Sequence, residues 1–273
     1  MKTQTIQRQY DDVIAAHYDL DPQGVVGDSL RRAAAQLEKH GILAPAELPL
    51  RVLDVGLGTG RFLALLQERG LRELEPFGLD LSRKMVEIAR RRIPNLAADI
   101  DDAARLEAHF PGQSFELICT HFLTGFVPLS VLAPKIHHRL RQGGYWSFVG
   151  GTKAGFPALR AKAENKMLRW LVGGQTLAVD DLVCNPAGRE EIVPILEAHG
   201  FAVRECETFE PPVRFANFKA FMDFAYRGGW LTPFVEALGL HQASPAVRLM
   251  LNALVFPLTD HHNIEIVLAQ KLK

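Results

Sequence analysis

The stretch Arg51-Val-Leu-Asp-Val-Gly-Leu-Gly-Thr-Gly-Arg-Phe62 constrains this chain more than any other. Val52, Leu53 and Val55 make a short apolar run of the kind a buried strand shows. Phe62, Leu63, Leu65 and Leu66 then recur at helical spacing. Three glycines lie between the two patterns. Strand, glycine turn and helix together open a nucleotide-binding α/β sheet. Gly56 permits a sharp turn. Gly58, lacking a Cβ, lets backbone N–H groups come close to a ligand. The helix that follows aims the positive end of its dipole at the same spot.

The spacing narrows the ligand. A dinucleotide fingerprint, G-x-G-x-x-G, requires its third glycine at position 61. That position holds Arg61, and the third glycine is Gly60. A nicotinamide dehydrogenase is therefore disfavoured. Asp54 stands two residues before the first glycine. The combination suits a ligand that lacks a pyrophosphate and carries a cationic amino-acid end. A glycine turn that holds no ligand is the alternative.

Downstream, apolar runs alternate with helical patterns. Phe77–Asp80 reads as a second strand, and Ser82 as the cap of a helix with Met85, Ile88 and Ala89 inside. Leu96–Asp99, Phe115–Thr120 and Tyr145–Val149 read as further strands. A helix is expected from Ser130 to Arg141 and a turn at Gly143-Gly144. This rhythm predicts a parallel sheet, doubly wound, with helices on both faces. After Gly151 it breaks. A loop and a helix containing Trp170 are expected, then a helix over Arg189–His199 and a strand over Phe201–Phe209. Asn263–Leu272 alternates and reads as the last strand. Asn217–Leu254 is largely helical and lies between the final two strands as an insertion.

With 273 residues, 48% of them hydrophobic, the chain can bury a substantial core as one elaborated domain. The expected division is a single domain over 1–273, with an N-terminal lid over 1–45 and a helical cap insertion over 215–257. Lys and Arg total 31, as do Asp and Glu. No basic block is present, so nucleic acid is not an expected partner. No apolar run approaches the ~20 residues of a membrane span, and no secretory leader is visible at the start. Three widely spaced cysteines, Cys119, Cys184 and Cys206, fit free thiols in a reducing cytoplasm. A homodimer is left open.

Asp80, twenty residues beyond Gly60, closes the second strand. A carboxylate there can accept hydrogen bonds from a ribose diol. Asp99 with Ile100 has the same position on the third strand and suits an exocyclic amine and the face of a base, although Asp101 and Asp102 make a solvated loop an equal reading. Asp260-His261-His262, with Glu265 nearby, has no spacing that matches a metal site, and none is expected. Phe218, Phe221, Phe224, Tyr226, Trp230 and Phe234 could line a substrate pocket or form the insertion's own core.

Taken in register, Val-Leu-Asp-Val-Gly-Leu-Gly-Thr-Gly, then Gly-Leu-Asp-Leu-Ser with Met85 and Ala89, then Ala-Asp99-Ile, then Phe-Glu-Leu-Ile, resembles the class I S-adenosylmethionine-dependent methyltransferases. The resemblance spans roughly Leu50 to Gly150. It implies a Rossmann-like sheet of seven strands, mostly parallel, with the last antiparallel. It places Asp54, Gly56 and Gly58 toward the methionine part of the cofactor, Asp80 at the ribose and Asp99 with Ile100 at the adenine, and it counts Gly60, Leu81 and Met85 among the cofactor-binding positions. The position after the fourth strand, Thr120-His121, often touches cofactor or substrate in such proteins. Glu116 departs from the family, which often has Asp there.

The implied reaction moves a methyl group from S-adenosylmethionine to a small molecule. The methyl is already activated, so alignment and exclusion of water are the main needs. An alcohol or ammonium acceptor would also need a base. His121, at the mouth of the crevice, and His17 with Tyr18, in the N-terminal segment, are the candidates. Two other readings share the motifs. One is cyclisation of the cofactor's own amino-acid part with release of methylthioadenosine. The other is a binding protein without catalysis.

Overall fold

The computed structural model describes residues 3–165 and 183–272. Its centre is a seven-stranded sheet in the order β3-β2-β1-β4-β5-β9-β6. The strands are β1 (Leu50–Val55), β2 (Leu74–Asp80), β3 (Ala97–Ile100), β4 (Phe115–His121), β5 (Leu140–Gly151), β6 (Phe201–Phe209) and β9 (Ile264–Lys271). β1 pairs in parallel with β2 and β4, and β4 with β5. β9 runs antiparallel between β5 and β6. The expected doubly wound α/β sheet, mostly parallel with its last strand antiparallel, is the one observed.

Helices cover both faces. On one lie α2 (Val25–Lys39), α3 (Arg61–Arg69) and α4 (Arg83–Arg92). Leu30, Ala33, Ala34 and Leu37 of α2 are buried, the face its periodicity assigns inward, and they join Val52, Leu117 and Ile266 of the sheet in one core. On the other face α5 (Leu129–Arg139) and α7 (Arg189–Ala198) bury Leu132, Ile136, Ile192 and Leu196 against Leu53, Ile118 and Trp146. Trp146 is fully enclosed, and its indole N–H donates to Thr120 Oγ1 at 2.8 Å.

Gly143-Gly144 is not a separate turn. β5 begins at Leu140, and the glycines sit in an irregularity where its pairing shifts from Phe115↔Leu140 to Leu117↔Tyr145. A Cβ at Gly144 would come within 2.9 to 3.1 Å of three carbonyl oxygens, so the neighbouring backbone excludes any side chain there. Turn-forming residues within a strand often mark such a bulge.

The chain between β6 and β9 is more than helices. β7 (Pro212–Phe215) and β8 (Leu258–His261) form a second, two-stranded antiparallel ribbon. Short helices α8 (Phe218–Met222), α9 (Thr232–Ala237) and α10 (Pro245–Leu254) lie between them. Phe218, Phe221 and Phe224 are buried in the same core as α2 and the sheet, with the Phe215 ring 5.5 Å from Phe221 and 5.3 Å from Phe224. Before the sheet come α1 (Thr3–Gln9), a π-helical turn over Tyr10–Ile14 and a 3-10 turn over Tyr18–Leu20. α6 (Pro157–Glu164) follows β5. The expected helix around Trp170 lies outside the described residues.

Candidate functional site

Strand order reverses between β1 and β4, and both strands end at the same edge. In open α/β sheets the crevice outside the carboxyl ends of the strands at such a reversal receives the ligand. A cavity of about 230 Å³ lies there, and its wall includes Tyr18, Gly56, Gly58, Asp80, Leu81, Met85 and His121. Gly56, Gly58 and Gly60 all have positive φ, between 55° and 80°, the region that favours glycine. Their roles separate. A Cβ at Gly58 would meet only the Tyr18 ring, at 3.8 Å, whereas one at Gly60 would fall 2.8 Å from Ile93 Cδ1 and 3.2 Å from Ala89. Gly58 borders the cavity. Gly60 is outside its wall and lets α3 and α4 pack closely.

Asp80 ties the loop to the end of β2. Its Oδ2 accepts from the Gly58 N–H at 2.7 Å and its Oδ1 from the Ser82 N–H at 2.8 Å. Burial pushes the carboxyl up to about 6, against the lowering effect of those two bonds. Asp54 is buried, 2% exposed, and its Oδ1 has no hydrogen-bond partner among the described residues. Burial, then the charge of Asp80, raises its pKa well above the usual carboxylate range. It is not part of the cavity wall.

Asp99 and Ile100, expected on the adenine side, are not among the residues lining this cavity. Asp99 Oδ2 instead contacts His109 Nδ1 at 2.9 Å, and Asp101, Asp102 and Ala103 form the wall. β3 ends at Ile100, and the Asp101 N–H then donates to the Asp80 carbonyl at 3.1 Å. That bond is the last rung of the parallel β2–β3 ladder, and the residues just after it reach the crevice.

The N-terminal segment is pinned over the loop. Asp11 Oδ1 accepts from Ser82 Oγ at 2.6 Å and from the Lys84 N–H at 3.1 Å. Asp19 Oδ1 accepts from Thr59 Oγ1 at 2.6 Å. These contacts bring Tyr10 and Tyr18 into the wall, and burial raises both phenols above their usual range. His17 is outside the wall. Its Nδ1 contacts the Val13 carbonyl at 3.0 Å, so its ring N–H serves the local turn. Thr120 is also outside, engaged with Trp146.

His121 does reach the wall, but with its ring packed edge-on against Phe62 at 4.2 Å and its Nε2 3.1 Å from Ser147 Oγ. Burial lowers its pKa to about 3. It is a neutral imidazole at physiological pH and a weak proton acceptor. The remaining wall is largely apolar and includes Phe122, Phe126, Phe156, Trp230 and Phe234. Sequence spacing singled out Trp230 and Phe234. Nothing in the local sequence marked Tyr10, Phe126, Phe156, Asn185 or His262 as wall residues, because distant loops bring them together. Asp260 is engaged elsewhere: its carboxylate accepts from the Ala158 and Leu159 N–H groups at the start of α6.

Comparison with known proteins agrees with this architecture. Residues 52–144 match the family described as "Methyltransferase domain". Trans-aconitate 2-methyltransferase of Methylobacterium radiotolerans is 34% identical over 118 residues, 43% of each chain. The curated relatives are thus matched over about half their length or less. The YcgJ protein of Bacillus subtilis shares the fold over 90% of this chain and 99% of its own, with a TM-score of 0.59 and 20% identity. Phosphoethanolamine N-methyltransferase 2 of Haemonchus contortus, solved in complex with phosphomonomethylethanolamine and S-adenosylhomocysteine, covers 89% of this chain and 53% of its own at a TM-score of 0.50 and 18% identity. The in-register motifs, the strand order with its antiparallel β9, and the methyltransferase-domain match over residues 52–144 together support a class I S-adenosylmethionine-dependent methyltransferase.

Proposed function

We propose that this protein binds S-adenosylmethionine and transfers its methyl group to a small-molecule acceptor. The single observation that carries the reading is the Gly58–Asp80 hydrogen bond at the reversal of strand order, with the unpartnered Asp54 oxygen two residues before the loop. The donor set fits the cofactor. Asp80 retains lone pairs for a diol and Gly58 offers backbone that can be closely approached, while Asp54 lies buried behind the wall two residues before the loop. The bound sulfonium would supply an activated methyl group. Tyr10, Tyr18 and Met85 enclose the site and exclude water. In this reading residues 1–45 act as a lid and 215–257 as a cap over the acceptor side. With His121 buried and neutral, it shapes the wall, and the acceptor's own nucleophilicity carries the reaction.

A small acceptor is supported by the largely apolar wall on the Phe122, Phe156 and Trp230 side and by the relative named for trans-aconitate. Calorimetry with S-adenosylmethionine and S-adenosylhomocysteine tests the cofactor, and a failure to bind either would overturn the proposal. Chromatography of the cofactor products tests the chemistry. S-adenosylhomocysteine formed only with an acceptor supports methyl transfer. Methylthioadenosine formed without one would replace it with cyclisation.

A further inference from the structure

One polar group in the cavity wall is unused by the reading above. His262 is 4% exposed. Its ring stacks on Phe156, with centroids 4.4 Å apart and planes at 19°, and meets Trp230 edge-on at 4.9 Å. Trp230 is itself stacked on Phe224 at 5.5 Å and set edge-on to Phe122 at 5.0 Å. Among the described residues, nothing hydrogen-bonds the imidazole: Nδ1 is sealed against Gly155 without a partner, which leaves Nε2 as the atom that can meet a ligand. Buried polar side-chain atoms are nearly always satisfied, so such a nitrogen calls for an explanation.

The backbone is shaped around this ring. A Cβ at Gly155 would lie 2.8 Å from Nδ1, and one at Gly151 would lie 2.8 Å from Cε1. Asn185 converges on the same place, with its Nδ2 3.7 Å from that Gly151 position. Phe122 and Phe156 both have left-handed backbone, at φ 58° and 57°. Hydrogen bonds from their N–H groups to the Val149 and His261 carbonyls hold them so. Bulky residues rarely adopt this conformation, and where they do they concentrate at ligand clamps.

The geometry points to an acceptor slot in which His262 accepts a hydrogen bond from the hydroxyl or ring N–H of a planar, uncharged aromatic molecule. This inference rests on the methyl-transfer reading above and names its substrate class. The flat rings of Phe122, Phe156 and Trp230 select for a planar partner. Burial holds the His262 ring neutral, near a pKa of about 3, so it presents a lone pair and not a cation. The wall acids Asp80, Asp101 and Asp102 lie at the end of β2 and just after β3, and the slot formed by Phe122, Phe156, Trp230 and the neutral His262 offers no charge to pair with an ionic acceptor. In the transfer, the acceptor's lone pair bonds the methyl carbon and the sulfur–carbon pair remains on sulfur. The acceptor's proton is released to water; His262 orients the acceptor through its lone pair and does not serve as the base.

The test uses protein saturated with S-adenosylhomocysteine and four probes: 2-naphthol, naphthalene, 2-naphthoate and 2-naphthylmethylammonium. Calorimetry on the wild type is expected to show 2-naphthol binding about tenfold more tightly than each of the others. In protein labelled with ¹⁵N-histidine, only 2-naphthol should shift the His262 ring signals. In H262F, 2-naphthol should fall to the affinity of naphthalene while S-adenosylhomocysteine binds as before. Equal binding of 2-naphthol and naphthalene, tighter binding of either charged probe, no binding of any probe, or a naphthol preference that survives H262F would each overturn the slot. The wild-type measurements decide the matter even if H262F does not fold. Failure of S-adenosylhomocysteine to bind would instead overturn the cofactor reading.

Discussion

The Gly58 N–H donates to Asp80 Oδ2 at 2.7 Å, joining the loop after β1 to the end of β2. One carboxylate thus shapes the loop and faces the cavity. Asp80→Ala removes both this bond and the one from Ser82. Cofactor affinity should drop by about 1–3 kcal/mol, the usual loss for charge-assisted hydrogen bonds. Titration calorimetry measures it, and unchanged affinity would take Asp80 out of the site.

The same carboxyl makes binding pH-dependent. Its pKa is raised from 3.8 to about 6 in the folded protein. Ribose hydroxyls donate to the ionised form, so binding favours loss of the proton. Affinity should therefore be full near pH 7.5 and decline as pH falls through about 6, by roughly tenfold per unit below it. Asp80→Asn should flatten that segment of the calorimetric profile. A profile of equal slope in both proteins would assign the proton to another group.

Gly58 and Gly60 should respond differently. Gly58→Val projects into the cavity and should abolish cofactor binding, with a modest fall in Tm from its positive φ. Gly60→Ala collides with Ile93 and Ala89 and should cost about 1–3 kcal/mol of stability through overpacking and backbone strain. Thermal melts and binding isotherms on both variants separate the two. Retained binding in Gly58→Val would break the cradle.

Buried neutral histidines make the fold acid-sensitive. His121 and His262 are each lowered from 6.5 to about 3 by burial. Between those values the unfolded chain holds more protons than the folded one, so stability is intact above pH 6.5 and is lost progressively as pH falls toward 3. Each histidine should account for about 2 kcal/mol between pH 7 and pH 5. Urea denaturation at the two pH values should show a smaller loss in His121→Gln than in the wild type. An equal loss would mean that His121 is accessible to protons in the folded state.

The latch over the glycine loop is also accessible to experiment. Asp19→Ala removes the acceptor of Thr59 Oγ1 and should raise amide exchange in residues 3–21 by several-fold, leaving the central strands protected. Uniform exchange across the chain would show that the segment does not open separately.

Residues local in sequence carried much of the outcome. The run Val52–Gly60, the period-two and helical patterns to Gly150, and the placement of Asp80 followed from backbone preference and periodicity, which act over a few residues. These sufficed for the parallel sheet and the glycine loop at its edge. The Gly143-Gly144 bulge was not legible, because the carbonyls that forbid a side chain there come from Arg141 of the same strand and from Phe115 and Glu116 of β4, brought together only by pairing. Asp99 is the residue expected from sequence, yet Asp101 lines the cavity while Asp99 meets His109, ten residues on, a contact set by packing. His17 and His121 look alike as candidate bases. Only tertiary packing leaves His17 with the Val13 carbonyl and buries His121 as a neutral ring. The acceptor side is the least legible part of all. Phe122, Phe156, Trp230 and His262 come from four separate segments, and their mutual orientation is set by packing between those segments. The sequence by itself determined the sheet and its glycine loop. The tertiary structure alone decided which polar groups are buried without partners, and those groups define where a ligand would be held.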